Sequence, residues 1–127
     1  MKLVANEVCI EDEYESQIQF IWPDPCYGWE CFTVERSWVY IFPPSITVSR
    51  RMPFYSGRAG IERLELHNDR IEVWLSDELA KKINLPSKID IGFCVTGEVM
   101  ERMRTTFARI FEDCSVFLDR SNASGAR

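Results

Sequence analysis

His67 is the single histidine of this chain, so any dyad or triad built on imidazole has to use it. No G-x-S-x-G or cysteine-elbow context accompanies it, and its place beside a hairpin turn predicts ordinary solvent exposure. Glu65 and Glu72 fall opposite one another if strands pair through that turn, near the separation used by retaining glycosidases. That pair faces away from the apolar side of the hairpin and is flanked by Arg63 and Arg70, which makes solvated carboxylates the stronger reading. Cys26 and Cys31 are spaced C-x-x-x-x-C, which is neither the C-x-x-C of redox sites nor half of a paired zinc knuckle. A zinc site there would need two more ligands, and the chain has one histidine and no second cysteine pair. "YSGRAG", Tyr55 to Gly60, matches no phosphate-cradling pattern and reads as a flexible lead-in to the hairpin. The residues therefore predict no catalytic group, no metal and no cofactor.

What does stand out is "WPDPCYGWECF", Trp22 to Phe32. Tryptophan and tyrosine on a loop broken by proline and glycine are more at home in interfaces than in ordinary turns. The stretch reads as a turn between two strands, with Phe32 pointing into the core and Trp29 pointing out. It also lies in the only strongly acidic region. Residues 1–31 hold seven acids and one base, while the remaining 96 residues carry a net charge of +1. Such a patch repels nucleic acid and attracts a basic partner.

The elements that must position these residues follow from periodicity. Ile18 and Phe20, Phe32 and Val34, and Ile46 and Val48 alternate with polar neighbours at the period of half-buried strands. "SWVYIF" reads as a further strand that stops at Pro43 and Pro44, and Pro23, Pro25 and Pro53 are excluded from central strands. "IERLELHNDRIEVWLS" is the clearest hairpin. A turn at Asn68 and Asp69 sets Leu66 against Ile71 and Leu64 against Val73 on one face, and Glu65 against Glu72 and Arg63 against Trp74 on the other. Trp74 is read as covered by a helix, with stacking on Arg63 as the alternative.

Ser76 or Asp77 caps a short helix, "DELAKKIN", with Leu79 and Ile83 inward. "KIDIGFCV" follows as a strand. Thr96 then caps a longer helix over about Gly97 to Asp113, whose inner stripe is Val99, Met103, Phe107, Ile110 and Cys114. The reading is a single α+β domain over residues 1–127, with a largely antiparallel sheet, two helices in the C-terminal half and a flexible tail from about 119. No apolar run approaches a membrane span of about 20 residues. The absence of an apolar signal core and the five scattered cysteines predict a cytoplasmic protein with reduced thiols.

From Tyr55 to Phe111 the chain resembles the immunity protein 10 family of bacterial polymorphic toxin systems. The residues that carry the likeness are "YSGRAGIERLELHNDRIEVWL", "DELAKKINL", "IDIGFCV" and the closing M-x-x-x-F-x-x-I-F helix; "CFTVERS", Cys31 to Ser37, is similar to a middle strand of that family. The resemblance implies a cytoplasmic antitoxin, not an enzyme, that binds the C-terminal domain of a cognate toxin and shields the producer. On that hypothesis Trp22, Tyr27 and Trp29 anchor a basic toxin, and Glu11, Asp12, Glu13, Asp24 and Glu30 steer its approach. A small-ligand or regulatory binding module stays open as the alternative, and a small enzyme as the third.

Overall fold

The computed structural model describes residues 1–13, 15–26, 28–37, 46–50, 55–58 and 60–121, with side chains at 37 and 55–58 left aside. All of "SWVYIF" after Ser37 with Pro43 and Pro44, Tyr27, Pro53 and residues 122–127 lie outside that set. The described residues form an α+β domain with two five-stranded sheets and two helices.

The first sheet is an antiparallel meander in chain order: β2 (Glu7–Asp12), β3 (Glu15–Asp24), β4 (Gly28–Ser37), β5 (Ile46–Arg50) and β6 (Tyr55–Arg58). Its inner face carries Ile18, Phe20, Phe32, Val34 and Val48, all fully buried. Alternation therefore works here as expected. Pro23 does lie inside β3, paired with Trp29 of β4. The pairing of β2 with β3 ends at Glu7 and Ile21, so Pro23 falls where β3 has a neighbour on one side only, and its missing N–H disturbs no second ladder. "YSGR" is strand β6 against β5, where the sequence suggested a flexible lead-in.

The second sheet is mixed, in the order β1 (Lys2–Val4), β9 (Lys88–Gly92), β8 (Arg70–Leu75), β7 (Ile61–Leu66) and β10 (Phe117–Asp119). β7 and β8 form the expected hairpin in the expected register. Its two edges are parallel additions, β1 beside β9 and β10 beside β7. Three-residue strands at sheet edges carry too little periodicity to be read from sequence, and both were missed. Residues 119–121, which the sequence reading placed in the tail, are tied into the fold. Arg120 N–H donates to the Leu66 carbonyl, and Ser121 is buried, its hydroxyl held by Arg104 at 2.6 Å.

Ser76 caps α1 (Asp77–Ile83) by accepting from Leu79 N–H, Asn84 ends it in the left-handed conformation, and Thr96 caps α2 (Gly97–Ile110). Leu79 and Ile83 of α1, and Met103, Phe107 and Ile110 of α2, join the inner faces of both sheets in one apolar cluster. Phe107 is central to it, stacking near Phe20 of the first sheet and Phe117 of the second. Cys114 is exposed, outside the expected stripe, because the helix has ended by Phe111. Arg36, on the inner face of β4, donates two bonds of 2.8 Å to Asp113 and one of 2.9 Å to the Ile110 carbonyl, so it fastens the C-terminal end of α2 to the meander.

Candidate functional site

The β3–β4 hairpin carries the stretch singled out in the sequence. Trp22 pairs with Glu30, Pro23 with Trp29 and Asp24 with Gly28, so the aromatic residues sit at the hairpin tip. Local chemistry makes the turn. Asp24 Oδ2 accepts from Cys26 N–H at 3.0 Å, closing an Asx turn, and Gly28 takes a φ of +87°, which glycine adopts without steric cost. Cys26 is exposed and Cys31 buried, so the two do not share an environment, and neither is in a disulfide. Phe32 is fully buried and Trp29 is 41% exposed, which makes it one of the few large apolar side chains at the surface among the described residues. Asn6, Glu7, Ile21, Trp22, Pro23 and Trp29 line an open cleft of about 370 Å³ beside the tip.

The acids proposed to accompany these aromatics do not all sit with them. Glu30 is only 3% exposed; its carboxylate meets Arg50 at 3.1 Å and accepts from Cys31 N–H. Arg50 in turn donates to the Asn84 carbonyl at 2.8 Å and the Ile83 carbonyl at 3.3 Å. Glu30 thus serves to bind β4, β5 and the end of α1 together, and it presents no steering charge to solvent. Glu11, Asp12 and Glu13 lie at the β2–β3 turn, the far end of β3 from Trp22. At about 3.3 Å per strand residue that separation is roughly 17 Å for Glu11, which pairs with Gln17, and roughly 23 Å for Glu13. Asp12 there accepts from the Ser16 hydroxyl at 2.7 Å and lies 3.4 Å from Arg109 of α2. Glu7, which sequence reasoning did not select, is the exposed acid in the cleft; its pairing with Ile21 is what places it there.

The far end of the meander holds a second acidic group. Glu11, Gln17 and Glu35 form one cross-strand row on the outer face. Burial first, then the hydrogen bond and charge of Glu15, then the charge of Glu11, push the Glu35 carboxyl up to about 7.

The outer face of the second sheet is charged. Among the described residues no helix covers Trp74; the Arg63 guanidinium stands 5.3 Å from its ring centroid and the Lys88 ammonium 4.8 Å. Two flanking cations occupy the position a helix was expected to take. Glu65, His67 and Glu72 gather beside them, with ligand atoms within 4.8 Å of one another. The sequence reading considered His67 and the glutamate pair separately. E-x-H followed by a glutamate five residues later, across a two-residue turn, was the available signal that puts all three on one face. Burial alone would raise the Glu72 carboxyl, but Lys88 and the His67 ring outweigh it and hold it below the usual range. His67 is half-buried, where exposure was expected.

No family model matches the chain, and no curated protein or solved structure shows significant similarity to it.

Proposed function

We propose that this chain is an immunity protein, a non-enzymatic antitoxin that neutralises the C-terminal domain of a cognate bacterial polymorphic toxin by direct binding in the cytoplasm. The observation that supports it most is the exposure of Trp29 at a hairpin tip, beside half-buried Trp22 and the carboxylate of Glu7. A tryptophan left partly in water beside a turn adds little to folding and much to association, since aromatic anchors dominate interface energies. Glu7, with Asp24 at the same tip, favours a basic partner. Tyr27, between Trp22 and Trp29 in sequence, belongs to the same proposal.

On this reading the charges nearest the tip matter most. A steering field falls off over a Debye length of about 8 Å at physiological salt, so Glu11 and Glu13, roughly 17 and 23 Å from Trp22 along the meander, act more weakly there than Glu7. Glu7 takes their role. The test is association kinetics with the C-terminal domain of the proposed cognate toxin, sought in the neighbouring gene. Reversing Glu7 should slow association more than reversing Glu11 and Glu13 together; the opposite order would move the binding face to the far end of the meander.

The cleft also favours a second reading, a small-ligand or regulatory module, because about 370 Å³ between two tryptophans could seat a small cationic molecule. Complex formation with the toxin domain separates the two.

A further inference from the structure

The β7–β8 hairpin brings together three groups whose chemistry the binding proposal does not use. Glu65 and Glu72 are directly opposed, and His67 follows two residues after Glu65 on the same outward face. The His67 backbone is fixed by its N–H donating to the Arg70 carbonyl at 2.9 Å. Glu65 Oε1 lies 3.4 Å from His67 Nε2, and Glu72 Oε2 lies 2.7 Å from it. Nε2 has essentially no accessible surface, and the angles to these two oxygens fall short of a well-formed hydrogen bond, so the nitrogen is enclosed between two carboxylates. A cation bound at Nε2 would be shared with both of them.

The other oxygen of each carboxylate is already held. Arg63 takes Glu65 Oε2, and Lys88 takes Glu72 Oε1 at 3.1 Å while also gripping Asp90 Oδ1 at 2.8 Å. Outer partners of this kind orient metal-ligating carboxylates. They leave one oxygen of each glutamate turned toward Nε2.

We propose that Glu65 Oε1, His67 Nε2 and Glu72 Oε2 form a binding site for a divalent transition ion of the zinc type, with the fourth position open. Imidazole nitrogen with carboxylate oxygen is a donor set that zinc accepts, at bonds of about 2.0–2.2 Å. Tetrahedral bonds of that length put neighbouring ligand atoms roughly 3.3 Å apart. The Glu65–His67 separation already fits, all three ligand atoms lie within 4.8 Å of one another, and the Glu72 carboxylate has to move out from 2.7 Å and the two glutamates to close on a common ion. Arg120 Nε, 3.5 Å from Glu65 Oε1, and the Arg70 guanidinium, 3.6 Å from Glu72 Oε2, are the competitors. Both side chains are about half exposed and free to swing into water, and their charge makes the affinity moderate rather than tight.

The experiment titrates the full chain with Zn²⁺ and follows the imidazole resonances by NMR, which are unambiguous because the chain has one histidine. Exposed Cys26, Cys94 and Cys114 are rival ligands, so the same titration is run on the C26S/C94S/C114S variant. The expected result is a saturable shift of the His67 ring at one ion per chain, unchanged in the cysteine variant and weakened at least tenfold by Glu72→Gln. Co²⁺ should bind with no thiolate charge-transfer band. An imidazole that stays unperturbed as Zn²⁺ is added, binding that disappears with the cysteines, or affinity indifferent to both Glu72→Gln and His67→Ala would each overturn the proposal.

Discussion

Trp29 and Glu35 give the most direct predictions from single residues. Burying an aromatic side chain at an interface is commonly worth at least about 2 kcal/mol by truncation. Trp29→Ala should therefore weaken the toxin complex by about 30-fold or more, chiefly through faster dissociation, and surface plasmon resonance would read it. Because Trp29 is 41% exposed in the folded chain, the same change should leave thermal stability nearly intact. Glu35 acts on stability instead. Its carboxyl is raised to about 7 by burial and by Glu15 and Glu11, above its value in the unfolded chain. The native state then holds more protons than the unfolded state between about pH 4.5 and 7, so this group's contribution falls as pH rises through that window. Discounted for solvent screening, the loss is about 1–2 kcal/mol. Glu35→Gln should flatten the pH dependence of urea denaturation over that range and stabilise the protein at pH 8. A wild-type stability that rises from pH 5 to pH 7, with Glu35→Gln making no difference, would contradict it.

At the scale of elements, two joints tie the strands to α1. Gly60 leads into β7 with a φ of +93°, and a Cβ there would meet Leu79 Cβ of α1 at 2.7 Å. Its carbonyl accepts from Ser76 N–H, the cap of that helix, at 2.7 Å. Gly60→Ala combines a left-handed backbone with overpacking and should cost about 2–4 kcal/mol in denaturant midpoint experiments. The Glu30–Arg50 pair is the second joint. Glu30→Ala leaves the Arg50 guanidinium without its carboxylate and should destabilise the fold by about 3 kcal/mol without slowing association. An unchanged stability with a slower on-rate would restore Glu30 to the steering role first expected of it. These joints mark where sequence reading stops. Alternation placed Ile18, Phe20, Phe32 and Val34, and the turn at Asn68 and Asp69 set the β7–β8 register, because both signals are local. The convergence of Glu65, His67 and Glu72 was legible in that same hairpin, but the burial of Glu30 and the setting of Trp74 depend on which elements become neighbours. The short parallel edges β1 and β10 depend on it as well, and no local pattern encodes that.

Across the whole molecule, one apolar cluster joins two sheets and two helices, and function is left to the outer surfaces. The meander carries the net negative charge of residues 1–31 at both its ends, while the mixed sheet shows Arg63, Arg70, Lys88 and Arg120 interlaced with acids on its outer face. That division separates the proposed toxin-binding tip from the proposed metal site, so each can be lost without the other: Trp29→Ala should leave the Zn²⁺ response of His67 unchanged. The central claim is that this chain neutralises a toxin by binding it. The most direct measurement is growth of a sensitive bacterial host expressing the C-terminal domain of the proposed cognate toxin, sought in the neighbouring gene, with and without the chain, together with the mass of the species recovered. The account predicts restored growth and a stable complex of the two, with growth lost again for Trp29→Ala at equal expression. No rescue by the wild-type chain, or rescue with no complex formed, would contradict it.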